Sequence, residues 1–166
     1  MYIPFEHLPD HARIWIYPAD RKFSEADEKI IREEAHSFCD QWVAHGNPLK
    51  TSFKIESGHF LILAVDEGVN GASGCSIDGS VRMLKSLQER TGINFLDRSK
   101  VPFFVDGNVK LIPLRELRPA FASGILGPVT ATFHLLAATK GEWQKDWILS
   151  TERTWLAKYL PKNPVT

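Results

Sequence analysis

The residues that could do chemistry are concentrated in one segment of this 166-residue chain. An apolar run ends there in two acids, and glycines, a cysteine, a serine and a third acid follow: Asp66, Glu67, Gly68, Gly71, Gly74, Cys75, Ser76 and Asp78. Glycine lets a backbone approach a phosphate closely, and a helix N-terminus carries unpaired N–H groups that attract anions. A strand, a glycine-rich connection and a helix therefore form a candidate site for a small anionic ligand.

The spacing of these glycines differs from both common phosphate-binding motifs. G-x-x-G-x-x-G is neither G-x-x-x-x-G-K-[ST] nor G-x-G-x-x-G, and "GCS" stands where a Walker motif has "GK[ST]". Asp66 and Glu67 would repel a bare phosphate, although they could hold a metal ion that bridges to one. A plain structural turn is the alternative interpretation of the same residues.

Cys75 offers a second kind of chemistry in this segment. A helix N-terminus lowers the pKa of a thiol and so favours the nucleophilic thiolate. A general base would also be needed, and His59 and Asp78 are the nearest candidates in sequence. The alternative is that a small residue fits a crowded turn. We predict that Cys39 is a core residue, and the sequence identifies no catalytic residue and requires no cofactor.

The segment "EHLPDH" contains four side chains that could bind a divalent ion: Glu6, His7, Asp10 and His11. Pro9 interrupts the helical spacing that would place both histidines on one face. We therefore predict solvated side chains here and no metal site.

The composition favours a globular protein and gives no electrostatic signal for binding to nucleic acid or to an anionic membrane. Twenty lysine and arginine residues balance twenty aspartate and glutamate residues, and no basic run occurs. Binding to nucleic acid or to an anionic membrane depends on clustered basic residues, so we predict neither partner. The N-terminal residues lack the basic region and uninterrupted apolar run of a signal peptide, so we expect none; no apolar run reaches about 18 residues, and two cysteines are too few for a disulfide framework. These features predict a cytoplasmic, reduced protein.

The first two thirds of the chain predict six regular elements. "ARIWIYPAD" has strand composition, and a helix follows with Ser24 and Asp27 in a capping-box arrangement. The helix carries an apolar stripe of Ile31, Ala35, Phe38 and Trp42. Two strands, "TSFKIES" and "HFLILAVDE", precede a helix that ends near Arg90, and Asp106-Gly107 indicates a hairpin. The order predicts a ferredoxin-like βαββαβ sandwich of the α+β class over residues 12–112.

The last third, about residues 113–160, predicts a helical and stranded extension. "PLRELRPAFASG" indicates a short helix closed by Gly124, and "TATFHLLA" and "EWQKDWIL" indicate strands. "STERTWLAKYL" predicts a terminal helix capped by Ser150 or Thr151. Without a linker or a repeat, we predict that residues 1–166 form a single domain. Analogy with other sandwiches adds a homodimer as an expectation.

Several quoted segments resemble one family along nearly the whole chain. "MYIPFEHLPDHARIWIY", "LAVDEGVNGASGCSIDGSVR", "KVPFFVDGNVKLIPL" and "LLAATKGEW" are similar to a family of small bacterial proteins that are often labelled "ABC transporter ATPase". The strand ending in Asp66-Glu67 mimics a Walker B motif. A Walker A motif and an LSGGQ-type signature are absent from the sequence, so the resemblance carries no catalytic residue across.

These observations favour a binding or regulatory module with a small-ligand or anion site at residues 67–78. One alternative is an enzyme that uses the same connection, either a nucleotide hydrolase with Asp66 or Glu67 on Mg²⁺, or a thiol enzyme with Cys75. Another alternative is a protein-interaction domain with an exposed aromatic patch of Trp143, Trp147 and Trp155.

Overall fold

A computed structural model describes residues 1–44, 46–67 and 74–162, without the side chains of residue 44 and residues 74–77. Contacts between residues divide the chain into two compact units. Unit 1 comprises Met1–Asp97 with Leu136–Lys145, and unit 2 comprises Arg98–Leu135 with the described residues from Asp146 onward. The boundary lies before the predicted hairpin. A single domain over residues 1–166 stays a prediction.

The described residues contain four α-helices and nine strands. In chain order these are β1 (Arg13–Pro18), α1 (Glu25–Gln41), β2 (Val43–Ala44), β3 (Asn47–Pro48), β4 (Lys50–Glu56), β5 (Phe60–Asp66), α2 (Gly74–Thr91), β6 (Lys100–Val105), β7 (Asn108–Pro113), α3 (Leu117–Ala122), β8 (Ala131–Phe133), α4 (Lys140–Asp146) and β9 (Ile148–Ser150). None of the helices in the described ranges has both the length and the hydrophobicity that a membrane span requires.

Helix α1 begins with the predicted capping box. The Ser24 hydroxyl accepts a hydrogen bond from the Asp27 backbone N–H at 3.0 Å, and the Asp27 carboxylate accepts one from the Ser24 N–H at 2.8 Å. The predicted apolar stripe is confirmed, because Ile31, Ala35 and Trp42 are buried in the core of unit 1. The helix is thus fixed by a local polar signal at its start and by apolar burial along one face.

The main sheet of unit 1 has the strand order β1-β5-β4, with antiparallel pairing throughout. Residues 60–65 of the central strand β5 are completely buried, which confirms the prediction of a strand covered on both faces. The register places Arg13 of β1 and Thr51 of β4 opposite Val65 of β5. The start of β1 therefore lies beside the acidic end of β5.

Other segments of unit 1 occupy part of each edge of this sheet. Tyr2 forms a parallel bridge to Thr51 of β4, and Thr139 forms an antiparallel bridge to Arg13 of β1. The Ile14 N–H also donates to the Ala138 carbonyl at 3.0 Å. Covered edges disfavour strand pairing between molecules. The expected homodimer stays a prediction, and these edge positions are already engaged within the chain.

The mixed α+β class is as predicted, but the complete ferredoxin-like topology is not confirmed. The first three long strands do have the order first, third, second within one sheet. The strand that follows α2, however, is β6, which pairs with β7 and β8 in a second sheet of order β7-β6-β8-β9. A βαββαβ sandwich needs that strand beside β1.

The structure of unit 2 confirms the hairpin that Asp106-Gly107 predicts. Strands β6 and β7 pair from Val105–Asn108 outward, and the two connecting residues, Asp106 and Gly107, have φ of 52° and 77°. Two successive positive φ values are those of a type I′ turn, for which Asp-Gly is favoured. Helix α3 ends as predicted near Gly124, which has φ of 81°. Phe103, Leu117 and Leu156 are among the fully buried residues of this unit's core.

Two predictions for the last third were wrong. Most of "EWQKDWIL" lies in helix α4, and the strand β9 begins after it at Ile148. The Thr139 hydroxyl accepts from the Glu142 N–H at 3.2 Å, which starts α4. The predicted terminal helix is two short 3₁₀ segments, Thr151–Arg153 and Trp155–Tyr159. Between them the extended Thr154 uses its hydroxyl to accept from the Leu156 N–H, so a side chain replaces a helical turn.

Candidate functional site

The acidic end of β5 lies against basic residues at and before the start of β1. Asp66 ends β5 and Glu67 follows it. The Arg13 guanidinium donates to the Glu67 carboxylate at 3.2 Å, and His11 Nε2 lies 3.6 Å from Asp66 Oδ1. We call these four residues the strand-end cluster. The antiparallel register of β1 and β5 brings them together.

The pair between Arg13 and Glu67 is solvent-accessible. Their side chains are 47% and 38% exposed, so the pair contributes about 1 kcal/mol or less to stability. The Arg13 guanidinium carbon also lies 4.8 Å from the centre of the Trp15 ring, and this cation–π contact helps to hold the guanidinium in place. Arg13 is therefore a positioned cation whose carboxylate partner can be exchanged at low cost.

The predicted sequence of strand, connection and helix is confirmed, since β5 ends at Asp66 and α2 begins at Gly74. Asp78 lies exposed in the first turns of α2. Gly68 and Gly71 lie outside the described residues, and so do the side chains of Cys75 and Ser76. The ligand site predicted at residues 67–78 therefore stays a prediction, with the positions of Asp66, Glu67 and Asp78 known.

The structure describes the environment of one cysteine, Cys39, but not the side chain of the other, Cys75. Cys39 is completely buried, and burial raises the pKa of its thiol to about 12, so it is the inert core residue that the sequence predicts. The reactive-thiol hypothesis concerns Cys75, whose side chain lies outside the description, and it stays a prediction. His59, one base considered for it, precedes β5 at the end opposite to Asp66. The seven-residue strand places these two ends roughly 20 Å apart.

His59 is itself a buried titratable group. Its side chain is 5% exposed, and its Nε2 has no hydrogen-bond partner among the described residues. Burial lowers the pKa of His59, and a hydrogen bond to the Ala19 backbone opposes this shift. The neutral imidazole is therefore favoured in the folded state. The position of His59 away from the strand-end cluster gives it no evident part in ligand binding there.

The "EHLPDH" segment is divided among different contacts. Glu6 and His7 lie in a 3₁₀ turn, Phe5–His7, and the Asp10 carbonyl accepts from the Gly141 N–H at 2.8 Å. His11 joins the strand-end cluster. Within the part of the chain that the structure describes, no three His, Cys, Asp or Glu side chains form a group that could hold a metal ion.

Lys140 is a buried cation that the sequence did not single out. Its side chain is 4% exposed, and its ammonium donates to the Leu8 carbonyl at 2.7 Å and to the Glu6 carbonyl at 3.3 Å. The ammonium also lies 5.4 Å from the centre of the Phe5 ring. These contacts satisfy carbonyl groups at the end of the 3₁₀ turn, so the role of Lys140 is structural.

Unit 1 also contains a small open groove of about 230 Å³, lined by Tyr2, Phe5, Glu6, Arg32, Phe53, Lys54 and Ile55. Its two cations have acidic neighbours: Arg32 pairs with Glu28 at 3.6 Å, and Lys54 pairs with Glu56 at 3.9 Å. The groove is below the size of most ligand pockets, and both of its cations already have acidic partners. It is a weaker candidate than the strand-end cluster.

The tryptophans of the predicted aromatic patch have different neighbours. Trp143, in unit 1, packs edge-to-face on Phe5 with ring centres 5.6 Å apart, whereas Trp147, in unit 2, packs on Phe133 at 5.0 Å. Trp155 is 48% exposed. A continuous patch of all three tryptophans stays a prediction, and Trp155 is its exposed member.

Comparisons with known proteins give no relative from which a role for these residues could be inferred. No protein-family model matches the chain, and no curated protein or solved structure is significantly similar to it. The sequence analysis considered His11 only as a metal ligand within "EHLPDH" and did not single out Arg13, so it did not predict that these two residues would lie beside Asp66 and Glu67. Their position depends on the register between β1 and β5, which a single sequence does not specify.

Proposed function

We propose that the protein is a binding or regulatory module that receives a small anionic ligand beside the strand-end cluster, at the β5–α2 connection of residues 67–78. The observation that carries the proposal is the 3.2 Å contact between the Arg13 guanidinium and the Glu67 carboxylate. A guanidinium is a planar donor whose geometry matches both carboxylate and phosphate oxygens. An incoming anion could therefore replace the carboxylate of Glu67.

Such an exchange would change the contacts of Glu67, and so of the start of the β5–α2 connection, when the ligand binds. In the free protein, Arg13 would hold Glu67, and therefore the start of the connection, against β1. Binding of an anion to Arg13 would release Glu67, with His11 as a second donor and the N-terminal end of α2 adding a favourable field. Through the release of Glu67, a small ligand would change the acidic surface at the end of β5, which is how binding could have a regulatory effect.

The enzymatic alternatives receive less support. A Mg²⁺-dependent hydrolase needs carboxylates available to the metal, whereas Asp66 and Glu67 both have basic neighbours. A thiol enzyme stays a prediction, and rapid alkylation of Cys75 near neutral pH would support it. Membership of the small bacterial family and a cytoplasmic location also stay predictions, and neither is needed for the proposal.

A thermal-shift experiment with matched arginine variants tests the proposal. The panel comprises inorganic phosphate, ATP, GTP, NAD and phosphorylated sugars, each with and without Mg²⁺. A ligand at 100 times its Kd stabilises the protein by about 2.7 kcal/mol, which raises Tm by roughly 5–11 °C for a chain of this size. We expect a Mg²⁺-independent increase that Arg13→Gln abolishes.

Arg90→Gln is the matched control. Arg90 is 45% exposed and pairs at 3.5 Å with Glu34, which is 22% exposed, so its change removes a similarly exposed guanidinium from an ion pair elsewhere in unit 1. The Arg90→Gln variant should retain the ligand-dependent increase. The proposal is wrong if no ligand raises Tm, or if both variants lose the increase equally. A strictly Mg²⁺-dependent increase that Asp66→Asn removes would instead favour the hydrolase.

A further inference from the structure

The zero net charge of the chain conceals a division between the two units. Unit 2 contains eight lysine and arginine residues and four aspartate and glutamate residues, a formal charge of +4. Unit 1 contains twelve basic and sixteen acidic residues, a formal charge of −4. A charge asymmetry of this kind points to a charged partner that the whole-chain composition does not reveal.

Part of the positive charge of unit 2 is organised around two aromatic rings. Trp155 and Tyr159 lie edge-to-face with ring centres 5.9 Å apart. The Lys158 ammonium lies 5.4 Å from the Trp155 ring centre and 5.3 Å from that of Tyr159. The Arg118 guanidinium carbon lies 5.1 Å from the Tyr159 ring centre. We call these four residues the basic aromatic surface.

The basic aromatic surface is open to a partner. Arg118, Trp155 and Lys158 are exposed, and neither cation forms an ion pair with any described carboxylate. Beneath the surface the buried Leu117 and Leu156 belong to the core of unit 2, so short, well-packed elements support it. The cation–π contacts restrain both cations without neutralising them.

We propose that the basic aromatic surface binds an acidic protein segment in which carboxylates flank an apolar side chain. The carboxylates would pair with Arg118 and Lys158, while the apolar side chain would cover Trp155. Arginine and tryptophan are enriched among the residues that dominate binding energy at protein interfaces. A guanidinium held over a ring keeps its planar donor edge available for a carboxylate.

A single-stranded nucleic acid fits this surface less well. Non-specific binding of single strands uses ring faces on which successive bases stack. Here the rings stand at 79° to each other, and the Lys158 ammonium is close to both ring centres. Two perpendicular rings offer no pair of parallel faces, whereas carboxylates need only the two cations.

Fluorescence anisotropy with the full chain tests this inference. The probe is a fluorescein-labelled peptide in which glutamates flank a central leucine, and a glutamine version of the same peptide serves as the uncharged comparison. We expect binding of the acidic peptide that weakens with added salt. The double variant Arg118→Gln/Lys158→Gln should weaken it about tenfold or more, as expected for the loss of two charge pairs of about 0.7 kcal/mol each.

The matched control is Lys100→Gln/Lys110→Gln, which removes the same charge from exposed positions on β6 and β7 of unit 2. It should change the affinity less than threefold. Trp155→Ala, which leaves the charge unaltered, should also weaken binding. The inference is overturned if the acidic peptide does not bind, or if both double variants weaken it equally. Tighter binding of an oligothymidine than of the peptide would also overturn it.

Discussion

The two units of this chain differ in how their charged groups are paired. Unit 1 contains ion pairs such as Arg21–Asp27 and Arg90–Glu34. In unit 2, Arg118 and Lys158 form no ion pair with a described carboxylate. The difference shows that the net charge of a whole chain is a poor guide to its partners, because the formal charges of the two units, −4 and +4, cancel in the total.

The largest effects should come from the two cores. Phe95 in unit 1 and Phe103 in unit 2 are 1% and 0% exposed, so Phe95→Ala and Phe103→Ala should each cost about 3–5 kcal/mol through cavity formation. Hydrogen exchange would show whether protection falls mainly in the unit that carries the change. Equal loss of protection in both units from either variant would contradict the division into two units.

A buried and an exposed lysine should differ strongly in their contribution to stability. Lys140→Met in unit 1 removes the donor to the Leu8 and Glu6 carbonyls and should lower the free energy of unfolding by about 2 kcal/mol. Lys158→Met in unit 2 loses only exposed contacts and should cost less than about 1 kcal/mol. Urea denaturation measures both. Similar costs would show that Lys140 is not a structural cation.

The acid stability of unit 1 should depend on Asp27. Its hydrogen bonds from Arg21, and then those from Ser24, lower the pKa of the Asp27 carboxyl to about 2 against the effect of burial. The stabilisation is therefore fully present above the ordinary pKa of 3.8 and is lost as the pH falls towards 2. Asp27→Asn should cost about 1 kcal/mol at neutral pH and flatten this dependence. The control Glu33→Gln, at an exposed position of α1, should do neither.

The smallest expected effect concerns His59. Since burial lowers the pKa of His59 below its ordinary value of 6.5, the unfolded chain binds a proton below that pH more readily than the native protein does. Stability should therefore decrease as the pH falls from about 6.5. His59→Gln should reduce that slope in pH-dependent urea denaturation. An unchanged slope would mean that His59 is charged in the folded state or titrates normally there.

Local signals predicted the elements that depend on neighbouring residues. Ser24 and Asp27 begin α1, and Asp106-Gly107 closes the hairpin, because capping and turn conformation are decided within a few residues. The same kind of signal was present at the start of α4. Thr139 and Glu142 have the spacing of a capping box, and overlooking them produced the wrong strand prediction for "EWQKDWIL".

Long-range pairing could not be predicted in the same way. The hairpin partner β7 was predicted, but the pairing of β6 with β8 instead of β1 is a tertiary decision that the apolar pattern of β6 does not encode. The same holds for Arg13 and His11, which reach the acidic end of β5 through strand register. Sequence reasoning therefore identified the acidic residues of the candidate site, but it assigned His11 to a different possible site and did not single out Arg13.

An amide-resolved NMR titration of the full chain tests the central claim, that the two units bind different partners. Inorganic phosphate should shift the signals of Arg13 and Glu67, whereas the acidic peptide should shift those of Arg118, Lys158 and the Trp155 indole. Each probe should leave the other set nearly unchanged. If phosphate and peptide shift the same residues, or if neither shifts its own set, the account of two separate binding surfaces is wrong.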